Sequence, residues 1–223
     1  MLWEYLPCGR NPMELVKIQG ASKRTQEPRN LTVEEFHGIL GHVKREPHRT
    51  MILTAMCLGL RVSELLALKW RDVDWKRLRV RIERGAVRNR IDDAKTAYSR
   101  KPMPIDAGLA EVLLAWRRKS EFVNDDDWIW ASPAMAGEKP YFYTSLLAAV
   151  QAAGKKAGIE GIGWHTFRHT YRTWLDETGA PTGVQQKLMR QADIRTTMNV
   201  YGDAIPETMR EVNGKVAKMA LRA

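Results

Sequence analysis

The stretch His165-Thr166-Phe167-Arg168-His169-Thr170-Tyr171-Arg172-Thr173-Trp174-Leu175 carries two patterns, both with helical spacing. Its basic members fall at i, i+3, i+4 and i+7 and so share one helix face, made of His165, Arg168, His169 and Arg172. Its apolar stripe consists of Phe167, Tyr171, Trp174 and Leu175. The pattern predicts a helix over 165–178 that is anchored by its aromatic side. The two guanidiniums suit phosphate oxygens, although a solvated basic face gives the same pattern.

A third arginine, Arg61, directly follows the most apolar stretch of the chain, Met51 to Leu60. Glu64 lies three residues further on, where its carboxylate can hold the guanidinium on a helical turn. An isolated surface ion pair of this kind contributes little to stability and does not by itself indicate a functional site. The end of so apolar a stretch is nevertheless an unusual place for a purely solvated charge.

The composition points to a polyanionic partner. Among 223 residues, Lys and Arg number 36 and Asp and Glu 26, which gives a formal net charge of +10. This charge favours nucleic acid first and an anionic membrane surface second. The two cysteines exclude a disulfide scaffold and a zinc site built from cysteines. The apolar stretch 51–60 is shorter than the ~20 residues of a membrane span, so we expect a cytoplasmic protein.

Periodicity predicts a mainly α fold with a small antiparallel β-sheet. Thr32 and Glu35 form a capping box at the start of a first helix, and a second helix is expected over 48–60. Helical spacing resumes at Arg61 and after the sheet. The later helices are expected at 106–120, 143–157, 165–178, 182–191, 193–201 and 206–223.

The sheet is expected to have three strands. Alternation of apolar and charged residues indicates the first at 78–82, and Val87 and Ile91 indicate a second. The third is expected at 100–105, and its two prolines place it at an edge of the sheet.

Two further residues gain meaning only in combination with the arginines. Lys95 lies in the polar turn before the third strand, followed by Arg100 and Lys101. A hairpin tip can insert a lysine into a cleft or leave it solvated. Tyr201 ends the segment Thr196-Thr197-Met198-Asn199-Val200-Tyr201, but most of the six tyrosines are expected to be packing residues.

These segments occur in an order that resembles the catalytic domain of tyrosine site-specific recombinases, the phage-integrase family. The matches are Leu-Thr-x-Glu-Glu at 31–35, Leu-Gly-Leu-Arg-x-Ser-Glu at 58–64, Lys-Thr-x-x-Ser-Arg at 95–100, His-x-x-Arg-His-Thr at 165–170 and Thr-Thr-Met-x-x-Tyr at 196–201. Each match is weak alone, whereas the ordered set is specific and spans most of the chain. The resemblance implies the α+β architecture of that catalytic domain.

The resemblance also implies site-specific recombination or integration of double-stranded DNA by strand cleavage and rejoining. Tyr201 would attack a phosphodiester and form a 3′-phosphotyrosine, freeing a 5′-hydroxyl. Arg61 and Arg168 would clamp the non-bridging oxygens, because phosphoryl transfer needs positioning and charge neutralisation. His165 would assist proton transfer, and Lys95 would protonate the leaving oxygen.

The remaining candidates support this constellation. Glu64 would hold Arg61, and His169 would support the same helix face. Further DNA-binding candidates are Arg172, Arg100 and Lys101. No cofactor or metal is expected, because the arginines supply positive charge and the run Asp125-Asp126-Asp127 cannot easily converge on a cation.

One segment departs from the family pattern, which has Gly-His and two small residues before the Thr-Thr segment. This chain has Arg190-Gln191-Ala192-Asp193 there, with Gln191 at the histidine position. Gln191 can donate a hydrogen bond to a phosphate or to the tyrosine oxygen, but it cannot exchange a proton. We therefore keep Gln191 among the catalytic candidates and expect weakened chemistry.

The resemblance suggests a domain division and partners. Residues 1–30 are expected to be an N-terminal arm or linker, the remnant of a core-binding domain, and 31–223 to be the catalytic domain with its C-terminal helix. The partners are double-stranded DNA and, through the helix after Pro206, a neighbouring subunit on DNA. Packing of that helix on its own domain is the alternative. We expect no membrane partner, and we expect the protein at the nucleoid of a bacterial or phage-type system.

Other functions stay open at this point. A catalytically weak or inert DNA-binding remnant of a mobile-element integrase would account for Gln191 and the short N-terminus. A DNA-binding regulator of another fold, with the 165–178 helix in the major groove, leaves the order of Arg61, Lys95 and Tyr201 unexplained. A membrane-surface protein is disfavoured because no segment joins a basic face to a broad apolar one.

Overall fold

A computed structural model describes residues 29–87, 90–93, 102–190 and 207–221. The helices are α1 (Val33–Gly41), α2 (His48–Leu58), α3 (Val62–Leu66), α4 (Ala107–Lys119), α5 (Tyr143–Lys156), α6 (Trp164–Glu177), α7 (Thr182–Met189) and α8 (Glu207–Leu221). The strands are β1 (Val73–Asp74), β2 (Arg79–Val80), β3 (Arg84–Val87), β4 (Arg90–Asp93) and β5 (Met103–Pro104). Single 3-10 turns occur at Trp70–Asp72 and Pro133–Met135. The predicted mainly α class with a small amount of antiparallel β-structure is confirmed.

Helix α2 is the centre of the core, because every residue from Thr50 to Leu58 is buried. It packs against α4, α6 and α8. The hydroxyl of Thr54 donates to the carbonyl of Thr50 at 2.8 Å, which satisfies this polar group inside the core. The most apolar stretch of the sequence is therefore the helix that the others surround.

The start of the domain is tied to α6. Thr32 and Glu35 form the predicted capping box of α1. The backbone N–H of Leu31 donates to the hydroxyl of Thr170 at 3.0 Å, and the indole N–H of Trp174 donates to the carbonyl of Leu31 at 3.1 Å. Thr170 and Trp174 of α6 thus fix the segment that leads into α1.

The single three-stranded sheet predicted from the sequence is wrong in detail. Strands β1, β2 and β5 form one antiparallel sheet in that order, while β3 and β4 form a separate hairpin. Val87 and Ile91 therefore belong to opposite arms of the hairpin rather than to one strand. Strand β1 was missed because two residues are too few to display alternation. The proline-containing β5 does lie at the sheet edge, where a residue without N–H is tolerated.

Helix α8 packs on its own chain. Its buried side chains are Met209, Val212, Asn213, Val216, Ala217 and Ala220. The buried Asn213 donates to the carbonyl of Pro104 at 3.1 Å and accepts from the hydroxyl of Tyr171 at 2.8 Å. This polar contact links α8 to both β5 and α6.

Parts of the sequence prediction fall outside the described ranges. These are most of the N-terminal arm, the turn that carries Lys95, the expected helix at 193–201 and the last two residues. Within the described ranges, no helix combines the length and apolar character needed to cross a bilayer.

Candidate active site

Arg168 is drawn into the core instead of lying on a solvated face. Its side chain is 7% exposed, whereas His165 and Arg172 on the same predicted face are exposed and His169 is half-buried. The guanidinium donates to the carbonyls of Gly59 and Met189, both at 2.5 Å. The alternative of a wholly solvated basic face therefore does not hold for Arg168, although it fits the exposed His165 and Arg172.

The charge state of Arg168 follows from this burial. Desolvation lowers the pKa of Arg168 to about 10, with the nearby positive charges of Arg61 and Arg190 acting in the same direction and Glu64 opposing them. Arg168 still carries its proton at neutral pH. Its two carbonyl partners, Gly59 and Met189, lie two residues before Arg61 and one residue before Arg190, so arginines from distant parts of the sequence are brought near one another.

Gly59 makes the approach of α6 possible. It ends α2 with φ +55, in the left-handed region that favours glycine. A Cβ at this position would lie 2.3 Å from Cδ1 of the Tyr171 ring. The absence of a side chain therefore lets the ring of Tyr171 lie against the backbone, while the Gly59 carbonyl accepts from Arg168.

Arg61 and Glu64 form the pair that the sequence predicts. Arg61 precedes α3, and its backbone N–H donates to Oε2 of Glu64 at 2.8 Å. Its guanidinium donates to Oε1 of the same carboxylate at 3.0 Å. The Arg61 side chain stays 45% exposed, so it is the member of this cluster that can meet a ligand from solvent.

Arg190 joins the cluster, although sequence reasoning assigned it no role. It follows α7 in the left-handed region, at φ 50 and ψ 43, and its side chain is 2% exposed. One guanidinium nitrogen pairs with Oε2 of Glu64 and another contacts the sulfur of Met103. One sequence signal could have identified Arg190. It is a charged residue directly after Leu188-Met189, at a helix end where glycine is usual.

Two guanidiniums, those of Arg61 and Arg190, thus pair with the carboxylate of Glu64, and Arg168 is bound to the backbone beside both arginines. Burial alone would raise the pKa of Glu64, but Arg190, the backbone N–H of Arg61 and the guanidiniums of Arg61 and Arg168 together lower that pKa below its usual value. Glu64 is therefore ionised at neutral pH. The cluster keeps a positive excess, which suits an anion such as a phosphate.

The hairpin that precedes Lys95 is fixed by a second buried ion pair. The guanidinium of Arg84 on β3 donates to both carboxylate oxygens of Asp72, at 2.7 and 3.1 Å. The Asp72 side chain is buried, at 3% exposure, and the Arg84 side chain is largely covered, at 10%. Burial raises the pKa of Asp72 above its usual value, and the N–H of Lys69 and the charge of Arg84 offset this only in part. This pair anchors the hairpin to the core beside α3.

Five of the predicted site residues lie outside the described ranges: Lys95, Arg100, Lys101, Gln191 and Tyr201. Two described segments lie next to these residues in the chain. Strand β4 ends at Asp93, shortly before Lys95, and Arg190 immediately precedes Gln191. The structure therefore brings Arg61, Glu64 and Arg168 together, and leaves His165 exposed in the first turn of α6.

Comparison with protein families gives a match between residues 29–207 and the model of the phage integrase family. A tyrosine recombinase XerC-like protein of Caldanaerobacter subterraneus is 28% identical over 206 residues, which cover 78% of this chain and 50% of the relative. The ICEBs1 integrase of Bacillus subtilis is 23% identical over 221 residues, covering 93% of this chain and 58% of the relative. The chain thus spans between half and three-fifths of the length of these curated relatives.

Solved structures give the same fold. The Tn1549 transposon integrase in complex with a circular intermediate DNA superposes with a TM-score of 0.67 at 19% identity, covering 85% of this chain and 66% of that one. A crystal structure of XerA recombinase superposes with a TM-score of 0.59, also at 19% identity, covering 75% of this chain and 58% of that one. The fold class is therefore that of these enzymes.

Proposed function

Because the chain belongs to the phage integrase family, we propose that it cleaves and rejoins double-stranded DNA at specific sites through a 3′-phosphotyrosine at Tyr201. The observation that carries the proposal is the placement of Arg61, paired with Glu64, near Arg168, which donates to the carbonyl of Gly59 two residues before Arg61. Two guanidiniums from segments far apart in the chain are each held in place, Arg61 by the carboxylate of Glu64 and Arg168 by backbone carbonyls, and Arg61 stays open to solvent. Such a cluster is suited to a phosphodiester that gains charge in the transition state.

The proposed reaction balances without a cofactor. The hydroxyl oxygen of Tyr201 attacks phosphorus, the bond from phosphorus to the 5′-oxygen breaks, and the tyrosine proton passes to His165. Lys95 donates a proton to the leaving 5′-oxygen. Arg61 and Arg168 stabilise the non-bridging oxygens. Because the ester conserves the energy of the broken bond, the freed hydroxyl of another strand can reverse the step, which rejoins DNA.

The two arginines would divide the task of binding. Arg168 uses two of its five N–H groups on backbone carbonyls, so it is rigid and retains donors for a phosphate. Arg61 is half-exposed and held by Glu64, so it meets the phosphate from the solvent side. Gln191 would add a hydrogen bond to the phosphate or to the tyrosine oxygen.

DNA is the proposed partner, supported by the net charge of +10. Such a charge predicts binding that weakens steeply with salt, as phosphate contacts release counterions. Arg172, Arg100 and Lys101 are the proposed additional contacts, with His169 supporting α6. A protein with this activity would act at the nucleoid.

Self-association on DNA through α8 is a further part of the proposal. Since α8 buries its apolar face on its own chain, docking on a neighbouring subunit would require α8 to leave that position. Analytical ultracentrifugation with and without duplex DNA tests this: a chain that stays monomeric on DNA would contradict it.

The test of the main proposal uses short nicked duplexes with randomised sequence around the nick. Denaturation should leave a covalent adduct that peptide mapping assigns to Tyr201, formed equally well in EDTA. Tyr201→Phe should form none, and Arg61→Ala should be on the order of 10²–10³ slower. Arg71→Ala, which removes an exposed arginine paired with Asp126, is the matched control and should stay within about twofold of the parent.

The contrary outcomes are distinct. An adduct on another tyrosine refutes the assignment of Tyr201, and strict dependence on magnesium refutes the arginine-based mechanism. DNA binding without any adduct would support the inert DNA-binding remnant instead.

A further inference from the structure

Arg190 occupies a position that its residue type does not suit. Its backbone has φ 50 and ψ 43, a region that glycine adopts freely and other residues adopt at a cost. Its side chain is also 2% exposed, although charged side chains are rarely buried so completely. Both features disfavour arginine here, so the contacts of the guanidinium must compensate.

One terminal nitrogen of the Arg190 guanidinium contacts the sulfur of Met103, and the other pairs with Glu64. Oε2 of Glu64 accepts from Arg190 and from the backbone N–H of Arg61, while Oε1 accepts from the Arg61 guanidinium. Exposure rises along this series, from 2% for Arg190 through 13% for Glu64 to 45% for Arg61. The carboxylate is therefore held from the core on one side and holds the exposed guanidinium on the other.

This arrangement has a geometric and an electrostatic consequence. With donors from two directions, the carboxylate cannot rotate to follow Arg61 outward, so the Arg61 guanidinium keeps one place. Without Arg190, the Glu64 charge would cancel most of the charge of Arg61. With Arg190 present, the cluster retains a larger positive excess for an anion at the exposed side of Arg61.

We propose that Arg190 is a positioning residue that acts through Glu64 to fix Arg61 and keep it available for a phosphate. The identity of that phosphate as a DNA phosphodiester rests on the proposed function. The effect of Arg190 on binding of a simple anion does not. The two parts can therefore be tested separately on the full chain.

The first arm measures sulfate affinity from the sulfate dependence of the thermal unfolding midpoint. Arg190→Gly is the informative variant, because glycine suits this backbone and only the side chain is lost. Sulfate affinity should fall about fivefold or more, and Arg190→Lys, which keeps the charge, should recover most of it. The control Arg71→Ala should change it less than about twofold. An unchanged affinity in Arg190→Gly, or an equal fall in Arg71→Ala, would overturn the proposal.

The second arm measures the maximal rate of adduct formation at saturating nicked duplex. Arg190→Gly and Glu64→Gln should each lower this rate about tenfold, with the half-saturating DNA concentration nearly unchanged. In the Glu64→Gln background, Arg190→Gly should then change the rate less than about twofold, because its effect passes through the missing carboxylate. Additive losses would overturn the proposal. Absence of any adduct from the parent would refute the proposed function, and the sulfate arm would still decide the role of Arg190.

Discussion

Replacement of Gly59 by alanine should destabilise the protein more than the same replacement at a glycine whose added Cβ would meet no neighbouring atom. The new Cβ would lie 2.3 Å from Cδ1 and 2.7 Å from Cε1 of Tyr171. The ring cannot move aside easily, because Tyr171 is fully buried and its hydroxyl is bonded to Asn213. Either α2 and α6 separate, or the Tyr171 hydrogen bond breaks.

The expected magnitude has two parts. The left-handed backbone, at φ +55, costs an alanine about 1–2 kcal/mol. Forcing a methyl group into a close-packed core adds about 1–3 kcal/mol. We therefore expect the free energy of unfolding to fall by about 2–5 kcal/mol, a large share of the total stability of a domain.

Urea unfolding followed by tryptophan fluorescence measures this loss. Gly158→Ala is the matched control, since Gly158 has φ +73 but a methyl group added there would meet no other side chain or backbone atom within 4 Å. The control should lose about 1–2 kcal/mol, from the backbone alone. If Gly59→Ala lost no more than Gly158→Ala, the close approach of Tyr171 would not constrain the junction of α2 and α6, and the reasoning would fail.

Three other substitutions test one buried hydrogen bond, the Glu64 carboxylate and the proposed role of Gln191. Tyr171→Phe leaves the buried Oδ1 of Asn213 without its donor, so urea unfolding should show a loss of about 1–2 kcal/mol; an unchanged stability would show that the bond contributes nothing. Glu64 has a pKa below its unfolded value, so its contribution is present above that unfolded value and is lost as the pH falls through the folded one. The gap in unfolding free energy between the parent and Glu64→Gln should therefore shrink on acidification below about pH 4, and a widening gap would contradict this sign. Gln191→His should speed adduct formation at neutral pH with little change in DNA affinity, because imidazole can exchange a proton; a variant no faster than the parent would refute a limiting role for Gln191.

Much of the fold could be read from local patterns. The capping box at Thr32, the aromatic stripe of α6 and the edge position of β5 were predicted and confirmed, because each depends on residues within a few positions of one another. The pairing of Arg61 with Glu64 was predictable for the same reason, since both lie on one helical turn. The division into two sheets could not be predicted, because β1, β2 and β5 have only two residues each and therefore show no alternation of apolar and polar residues.

Local sequence was enough to predict most of the helical segments, the side chains of the core stripe and the residue types that could bind a phosphate. The burial of Arg168 emerged only from the packing of distant segments, because its partners Gly59 and Met189 come from other helix ends. The same packing brings Arg190 to Glu64, a contact between the end of α7 and α3 across 126 positions of the chain. Periodicity displays interactions within a turn of helix, whereas the burial of a charge depends on which distant groups can satisfy it.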